Sequence, residues 1–217
     1  SNCLSIPLWL FPFSRFGSYF AISELPASDT RREGLYIRTV HGDANPKEIA
    51  RLEVTCAGQP VPFQTEATPW QLTLRAEAGS VEICFSDTKT LRFRCAGAAL
   101  RLIMDDTAPY LFAMEEQDGS VQVNSLFHNR RFYAMAQSGT LQVDAPWLGE
   151  KCSHVQLDTL PGGEYFFTES DVRPRELLFD IPFDVCRDTV REDFTRWLEG
   201  CAPVPARYEA AAVLSRY

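Results

Sequence analysis

The stretch Trp70–Cys95, WQLTLRAEAGSVEICFSDTKTLRFRC, contains three short runs in which apolar and polar residues alternate: Trp70–Ala76, Ser80–Ser86 and Thr90–Cys95. In the third run the apolar residues Leu91, Phe93 and Cys95 alternate with the arginines Arg92 and Arg94. Because successive side chains of a strand point to opposite faces, each run predicts a strand with one buried and one wetter face. The turn formers between the runs predict antiparallel neighbours.

Ten further runs of the same kind lie on either side of this stretch. They are Tyr19–Leu25, Leu35–Val40, Ile49–Thr55, Ala99–Met104, Tyr110–Met114, Val121–Leu126, Arg131–Ala136, Thr140–Asp144, Val155–Leu160 and Glu164–Thr168. Their spacing is close to the roughly 8–12 residues that is typical of antiparallel sandwiches and barrels. The sequence therefore predicts a mainly β fold, a large two-sheet antiparallel β-sandwich of the supersandwich kind, over residues 1–185.

The pattern changes to a helical one near the C-terminal end. Asp188 can cap a helix that ends at Gly200, with an apolar stripe made by Val190, Phe194, Trp197 and Leu198. A Pro-rich connector comes next, so residues 186–205 are predicted to form a linker helix and connector. A second helical pattern begins within residues 206–217, which predicts the start of a further helical domain.

Composition and charge exclude several classes of protein. The chain has 217 residues, of which 45% are hydrophobic and 23% charged, so disordered and fibrous classes do not fit. The net charge of -8 argues against a nucleic-acid binder or a protein held on anionic membranes. The apolar run 4–13 is interrupted by Pro7 and Pro12 and is too short to span a bilayer.

The seven cysteines predict a reducing, cytoplasmic location. Their number is odd, their spacings are wide and no CxxC occurs, so neither a structural zinc site nor another metal site is predicted. A lipoprotein or a secreted form stays open as an alternative. No GxSxG, Walker A or GxGxxG motif occurs, and no cofactor is predicted.

The layout of the chain resembles that of glycoside hydrolases in which a large N-terminal β-sandwich and a linker helix precede a catalytic (α/α)6 barrel. Segments 13–23 (FSRFGSYFAIS) and 34–40 (GLYIRTV) look like the opening of bacterial members of the glucoamylase, glucosidase and debranching-enzyme group. The strings ATPW at 67–70 and RYEAA at 207–211 are similar to the sandwich interior and to the entry into the barrel.

The resemblance implies a non-catalytic domain that supports the helical barrel of the same chain and shapes its substrate entrance. The catalytic carboxylates of such enzymes lie on loops of the barrel, and none of them has a matching position here. Arg15, Phe16 and Tyr19 are the residues at which the resemblance places a barrel-facing strand. Trp197 is predicted to pack at a domain interface because it lies on the helical stripe.

Two alternative functions arise from the residues themselves. A stand-alone carbohydrate-binding sandwich would use Trp147, as a stacking platform for a sugar ring, together with His128 and Arg130 in a polar turn. A mutarotase-like sugar isomerase or lyase would use a histidine and a carboxylate. In either case the apolar N-terminal arm, residues 6–13, predicts self-association if nothing else covers it.

Overall fold

The computed structural model describes residues 49–85, 90–106, 108–126, 129–145, 150–170, 172 and 181–200. It also describes the backbone of three strand segments, 8–11, 19–23 and 34–36. The side chains of Phe85 and Trp197 lie outside this description. The same is true of the side chains of the N-terminal arm, so its self-association stays a prediction.

The described residues form seventeen strands and one helix. The strands of the N-terminal half are β1 (Leu8–Phe11), β2 (Tyr19–Ser23), β3 (Gly34–Tyr36), β4 (Arg51–Cys56), β5 (Gln59–Pro60), β6 (Gln64–Thr68), β7 (Gln71–Arg75), β8 (Ser80–Phe85) and β9 (Thr90–Ala96). Those of the C-terminal half are β10 (Ala99–Asp105), β11 (Leu111–Glu115), β12 (Val121–Ser125), β13 (Arg130–Ser138), β14 (Gln142–Asp144), β15 (Lys151–Cys152), β16 (His154–Asp158) and β17 (Glu164–Glu169). The helix is α1 (Phe183–Gly200).

The strands pair antiparallel in two large sheets and one small one. The five-stranded sheet has the order β14-β16-β10-β4-β5, and the nine-stranded sheet has the order β15-β11-β12-β13-β17-β9-β8-β7-β6. A three-stranded sheet is made by β1, β2 and β3. The predicted two-sheet, mainly β fold with a C-terminal helix is thereby confirmed.

One hydrophobic core lies between the two large sheets. The five-stranded sheet contributes Val54, Leu100, Leu102, Met104, Val155 and Leu157, and the nine-stranded sheet contributes Leu72, Leu74, Val81, Ile83, Leu91, Phe93, Phe132, Tyr165 and Phe167. Two stacked aromatic pairs lie at its centre: Phe93 with Tyr165 at 5.4 Å and Phe132 with Phe167 at 5.3 Å between ring centroids. Burial of such side chains is the main favourable term in folding.

The chain crosses from one sheet to the other at Gly97, between β9 and β10. This glycine has a φ of +75° and lies against the turn that joins β7 to β8. A Cβ on Gly97 would be 2.2 Å from the carbonyl oxygen of Ala78, and one on Gly79 would be 1.9 Å from that of Ala96. The two backbones can approach this closely only because both residues lack a side chain.

The predicted runs between Ile49 and Thr168 each overlap an observed strand, and β2 and β3 overlap the two runs before them. Four strands have no predicted counterpart: β1, β5, β6 and β15. The predicted start of the helix is wrong. Asp188 does not cap α1 but lies inside it, because the helix begins at Phe183, directly after Pro182.

Candidate functional site

Helix α1 packs on the outer face of the nine-stranded sheet, over β8 and β9. Its first turn contributes Phe183 and Cys186, which form a small hydrophobic cluster with Cys84 of β8. Phe183 and Cys84 are fully buried. The outer face of a strand that alternates as β8 does would ordinarily meet water, so this cluster marks the place where the helix covers the sheet.

A buried arginine lies beside this cluster. Arg92 of β9 is 3% exposed. Its Nη1 donates to the sulfur of Cys186 at 3.0 Å. Its Nη2 donates to Gln137 Oε1 at 2.5 Å and to the carbonyl oxygen of Ile181 at 2.7 Å. These bonds connect β9 and β13 to the residues at the start of α1.

A second arginine of β9 holds the helix through carboxylates. Arg94 donates to Glu82 Oε2 at 2.7 Å and to Asp184 Oδ1 at 3.0 Å, and its guanidinium lies 4.7 Å from the centroid of the Phe183 ring. Arg187 of α1 pairs with the same Asp184 oxygen at 3.1 Å. Burial alone would lower the pKa of Arg94, but the hydrogen bond and charge of Glu82, with Asp184, outweigh it and raise the pKa.

The middle of α1 contacts the turn between β6 and β7. Trp70 at this turn lies 6.2 Å from the ring of Phe194, and the guanidinium of Arg191 lies 5.3 Å from the Trp70 ring. Phe194 is buried. The helix is therefore fastened at two places, by its first turn on β8 and β9 and by its middle on Trp70.

A polar face of α1 lines a groove of about 450 Å³. Its described lining consists of Asp188, Arg191, Glu192, Thr195, Arg196 and Glu199. These side chains recur at the three- and four-residue spacing of one helical face. They carry both signs of charge, and this described lining contains no aromatic ring on which a sugar could stack.

A different polar cluster lies on the outer face of the five-stranded sheet. Asp105 of β10 accepts from Arg51 Nη2 of β4 at 2.6 Å, and its other oxygen is 2.6 Å from Nδ1 of His154 of β16. His154 is the one histidine within the described ranges. Burial alone would raise the pKa of Asp105, but the hydrogen bonds and charges of His154 and Arg51 outweigh it, so the pKa lies below its ordinary value.

Replacing Asp105 with asparagine is expected to remove a pH-dependent contribution to stability. A carboxyl whose pKa is lower in the folded state stabilises the protein above its unfolded pKa, and that stabilisation disappears as the pH falls through the folded pKa. The side chain is 44% exposed, so the loss at pH 5 should be at most about 1 kcal/mol. Urea unfolding at pH 5 and pH 3 measures it, and the difference from wild type should shrink at pH 3. The control is Asp144→Asn, at an exposed carboxylate of the same sheet. An equal difference at both pH values would contradict the assignment.

Three other charged residues of this sheet also pair with one another. Arg101 donates from Nε to Asp158 Oδ1 at 2.7 Å and lies 3.7 Å from Glu53. Within the described parts of the chain, no three His, Cys, Asp or Glu side chains are grouped so that they could hold a metal ion. No helix within the described ranges combines the length and the apolar character needed to cross a membrane.

The structure describes some of the predicted site residues and not others. Arg130 begins β13, and its guanidinium forms a two-pronged ion pair with Glu169 of β17, with Nε 2.7 Å from Oε1. Tyr19 begins β2, where it pairs with Tyr36. Trp197 belongs to α1, but its side chain is not described. The remaining predicted site residues lie outside the described residues: Arg15, Phe16, His128 and Trp147. The described geometry therefore brings none of the predicted set together.

The residues that hold the first turn of α1 were not predicted from the sequence, although Phe194, which holds its middle, was part of the predicted apolar stripe. A signal for Phe183 and Cys186 exists, because they extend the apolar stripe of Val190 and Phe194 by one turn at the same three- and four-residue spacing. The burial of Arg92 could not be predicted, because an arginine at a polar position of an alternating run is expected to face solvent.

No protein-family model matches the chain, and no curated protein matches it. Among solved structures, the chain is similar to a family GH92 inverting mannosidase from Bacteroides thetaiotaomicron VPI-5482, with 13% identity over 69% of this chain and a TM-score of 0.46. The chain spans about a quarter of that mannosidase, since 26% of its length is covered.

Proposed function

We propose that the chain is a non-catalytic β-sandwich domain of a glycoside hydrolase, which supports a helical domain located after it in the same protein. The observation that carries this proposal is the fastening of α1 to the nine-stranded sheet. A helix fixed by a buried arginine, an ion-pair network and two aromatic contacts has one orientation relative to the sandwich. The C-terminal end of α1, at Gly200, is therefore held in a defined position relative to the sandwich.

The order of the parts supports the same interpretation. A sandwich is succeeded by a docked helix, then by a Pro-rich connector and by a second helical pattern, and the strings at 13–23, 34–40 and 207–211 resemble those of barrel-containing enzymes. The groove along the polar face of α1 offers charged side chains to a neighbouring domain. Arg15, Phe16, Tyr19 and Trp197 remain the proposed contacts with that domain. Trp147, His128 and Arg130 remain the proposed carbohydrate contacts near its substrate entrance.

The proposal makes a prediction about the coding sequence after Tyr217. We expect several hundred further residues with repeated amphipathic helices and with paired carboxylates on the loops between them. The 217-residue chain should hydrolyse no aryl glycoside, whereas the longer gene product should do so. A stop codon within a few residues of Tyr217 would overturn the proposal.

One outcome would favour the isomerase hypothesis instead. His154 and Asp105 form a histidine–carboxylate contact, which that chemistry requires. If the 217-residue chain accelerates the mutarotation of an aldose, and His154→Ala abolishes the acceleration, the chain is itself an enzyme. Asp105 is then the second residue to replace.

A further inference from the structure

Arg92 differs in its partners from the two other arginines near the start of α1, Arg94 of β9 and Arg187 of α1 itself. Arg94 contacts the carboxylates of Glu82 and Asp184, and Arg187 those of Asp184 and Asp188. No carboxylate lies among the contacts of Arg92 with the described residues, and its Nε has no hydrogen-bond partner there. A guanidinium does not lose its proton in proteins, so a positive charge is buried at this point.

A buried charge without an opposite charge destabilises a fold strongly. The amide of Gln137 and the carbonyl of Ile181 solvate the guanidinium but do not neutralise it. The third contact of Arg92 with the described residues is the sulfur of Cys186, 3.0 Å from Nη1, in a residue that is 7% exposed. A thiol can become an anion, and among the three acceptors it alone can balance the charge.

The position of Cys186 in the first turn of α1 is a second reason to expect a thiolate there. It is the fourth residue of α1, and its amide donates to the carbonyl oxygen of Pro182 in the first turn. The positive end of the helix dipole stabilises negative charge within this turn. The nearby negative groups, Glu82 and Asp184, are paired with Arg94 and Arg187.

The second thiol of the cluster remains protonated. Burial raises the pKa of Cys84, and the charge of Cys186 raises it further. Arg92, Arg187 and Arg94 act in the opposite direction without cancelling the rise. Only one of the two thiols of the cluster is therefore expected to ionise, and it is Cys186, which contacts Arg92 directly.

We propose that Cys186 is a thiolate ion-paired with Arg92, and that it is the site at which a small peroxide oxidises this chain. The sulfur anion attacks one peroxide oxygen, the O–O bond breaks and hydroxide leaves. Sulfur is oxidised by two electrons to a sulfenic acid, and the peroxide is reduced. The product carries no charge, so Arg92 loses its counter-ion and the first turn of α1 is held less firmly. This chemistry is independent of any domain beyond Gly200.

The ionisation can be measured on the intact protein without chemical access to the thiol. The absorbance of wild type minus Cys186→Ser near 240 nm, where thiolates absorb, should show a thiolate already at pH 6. Cys56→Ser, which removes a thiol from β4 of the other large sheet, controls for the loss of one cysteine. A band that appears only as the pH passes about 8.5, the ordinary thiol range, would overturn the proposal.

The reactivity is tested with hydrogen peroxide at pH 6, followed by denaturation, alkylation and peptide mass mapping. Cys186 should be the first of the seven cysteines to lose its reactivity toward the alkylating reagent, and dithiothreitol should restore that reactivity. The variant Arg92→Met, which keeps much of the volume but removes the charge, should slow the oxidation of Cys186 at least about tenfold. Earlier blocking of another cysteine, or an unchanged rate in the folded Arg92→Met protein, would refute the assignment.

Discussion

Replacing Phe183 with alanine is expected to release the first half of α1 from the nine-stranded sheet. The ring is fully buried between Cys84 and the guanidinium of Arg94, and it is the largest side chain in the cluster beneath the helix. Removing such a ring costs about 3–5 kcal/mol where the site cannot collapse. Here the loss falls on the contact between α1 and the sheet, because the main core between the sheets is untouched.

Hydrogen exchange and limited trypsin digestion measure the release. The amides of α1 should exchange faster by two or more orders of magnitude, since each 1.4 kcal/mol is about a factor of ten. Cleavage after Arg187, Arg191 or Arg196 should precede unfolding of the sandwich. Val185→Ala is the matched control, because Val185 lies in the same turn and is exposed. If exchange in α1 and in β17 rose together, the helix would be part of the global unfolding unit and the assigned role would be wrong.

Replacing Gly97 with alanine is expected to destabilise the sandwich by about 2–6 kcal/mol. A non-glycine residue at a φ of +75° is strained by about 1–3 kcal/mol. The new Cβ would also meet the carbonyl oxygen of Ala78 at 2.2 Å, so the β7–β8 turn must move. Displacing well-packed backbone adds roughly 1–3 kcal/mol.

The variant Gly119→Ala separates the strain of the positive φ from the clash of the new Cβ with a neighbouring backbone. Gly119 has a similar φ of +83°, but no atom lies within 4 Å of the Cβ that alanine would add. Its loss of stability should be near 1 kcal/mol, measured by urea unfolding beside Gly97→Ala. Equal losses in the two variants would mean that the close approach at Gly97 contributes nothing.

The fold could be predicted from the sequence because its strands alternate cleanly. In β7 and β9 every second residue is apolar and faces the core, as the alternating runs that contain Leu72 and Leu91 indicated. Strand β6 was missed, since Gln64–Thr68 has only Thr65 and Ala67 on its buried face. The two-residue strands β5 and β15 are too short to show any period.

The candidate site was harder to predict than the fold. The start of α1 was misplaced because Asp188 suggested a helix cap, although the apolar stripe already begins at Phe183. Nothing local distinguishes Arg92 from Arg94, yet one is buried against a thiol and the other is paired with carboxylates. That difference depends on which side chains of α1 reach each of them, and alternation along a strand carries no such information.

The position of β17 has a consequence for how the chain is made. Its residues, Glu164–Glu169, pair on one side with β9 and on the other with β13, so they join two parts of the nine-stranded sheet that both precede them in the sequence. During synthesis both parts emerge from the ribosome before their shared partner does, and each waits with an unpaired edge. Pairings between such distant segments also form slowly. The newly made protein is therefore expected to depend on chaperones that cover these edges until residues 164–169 have emerged.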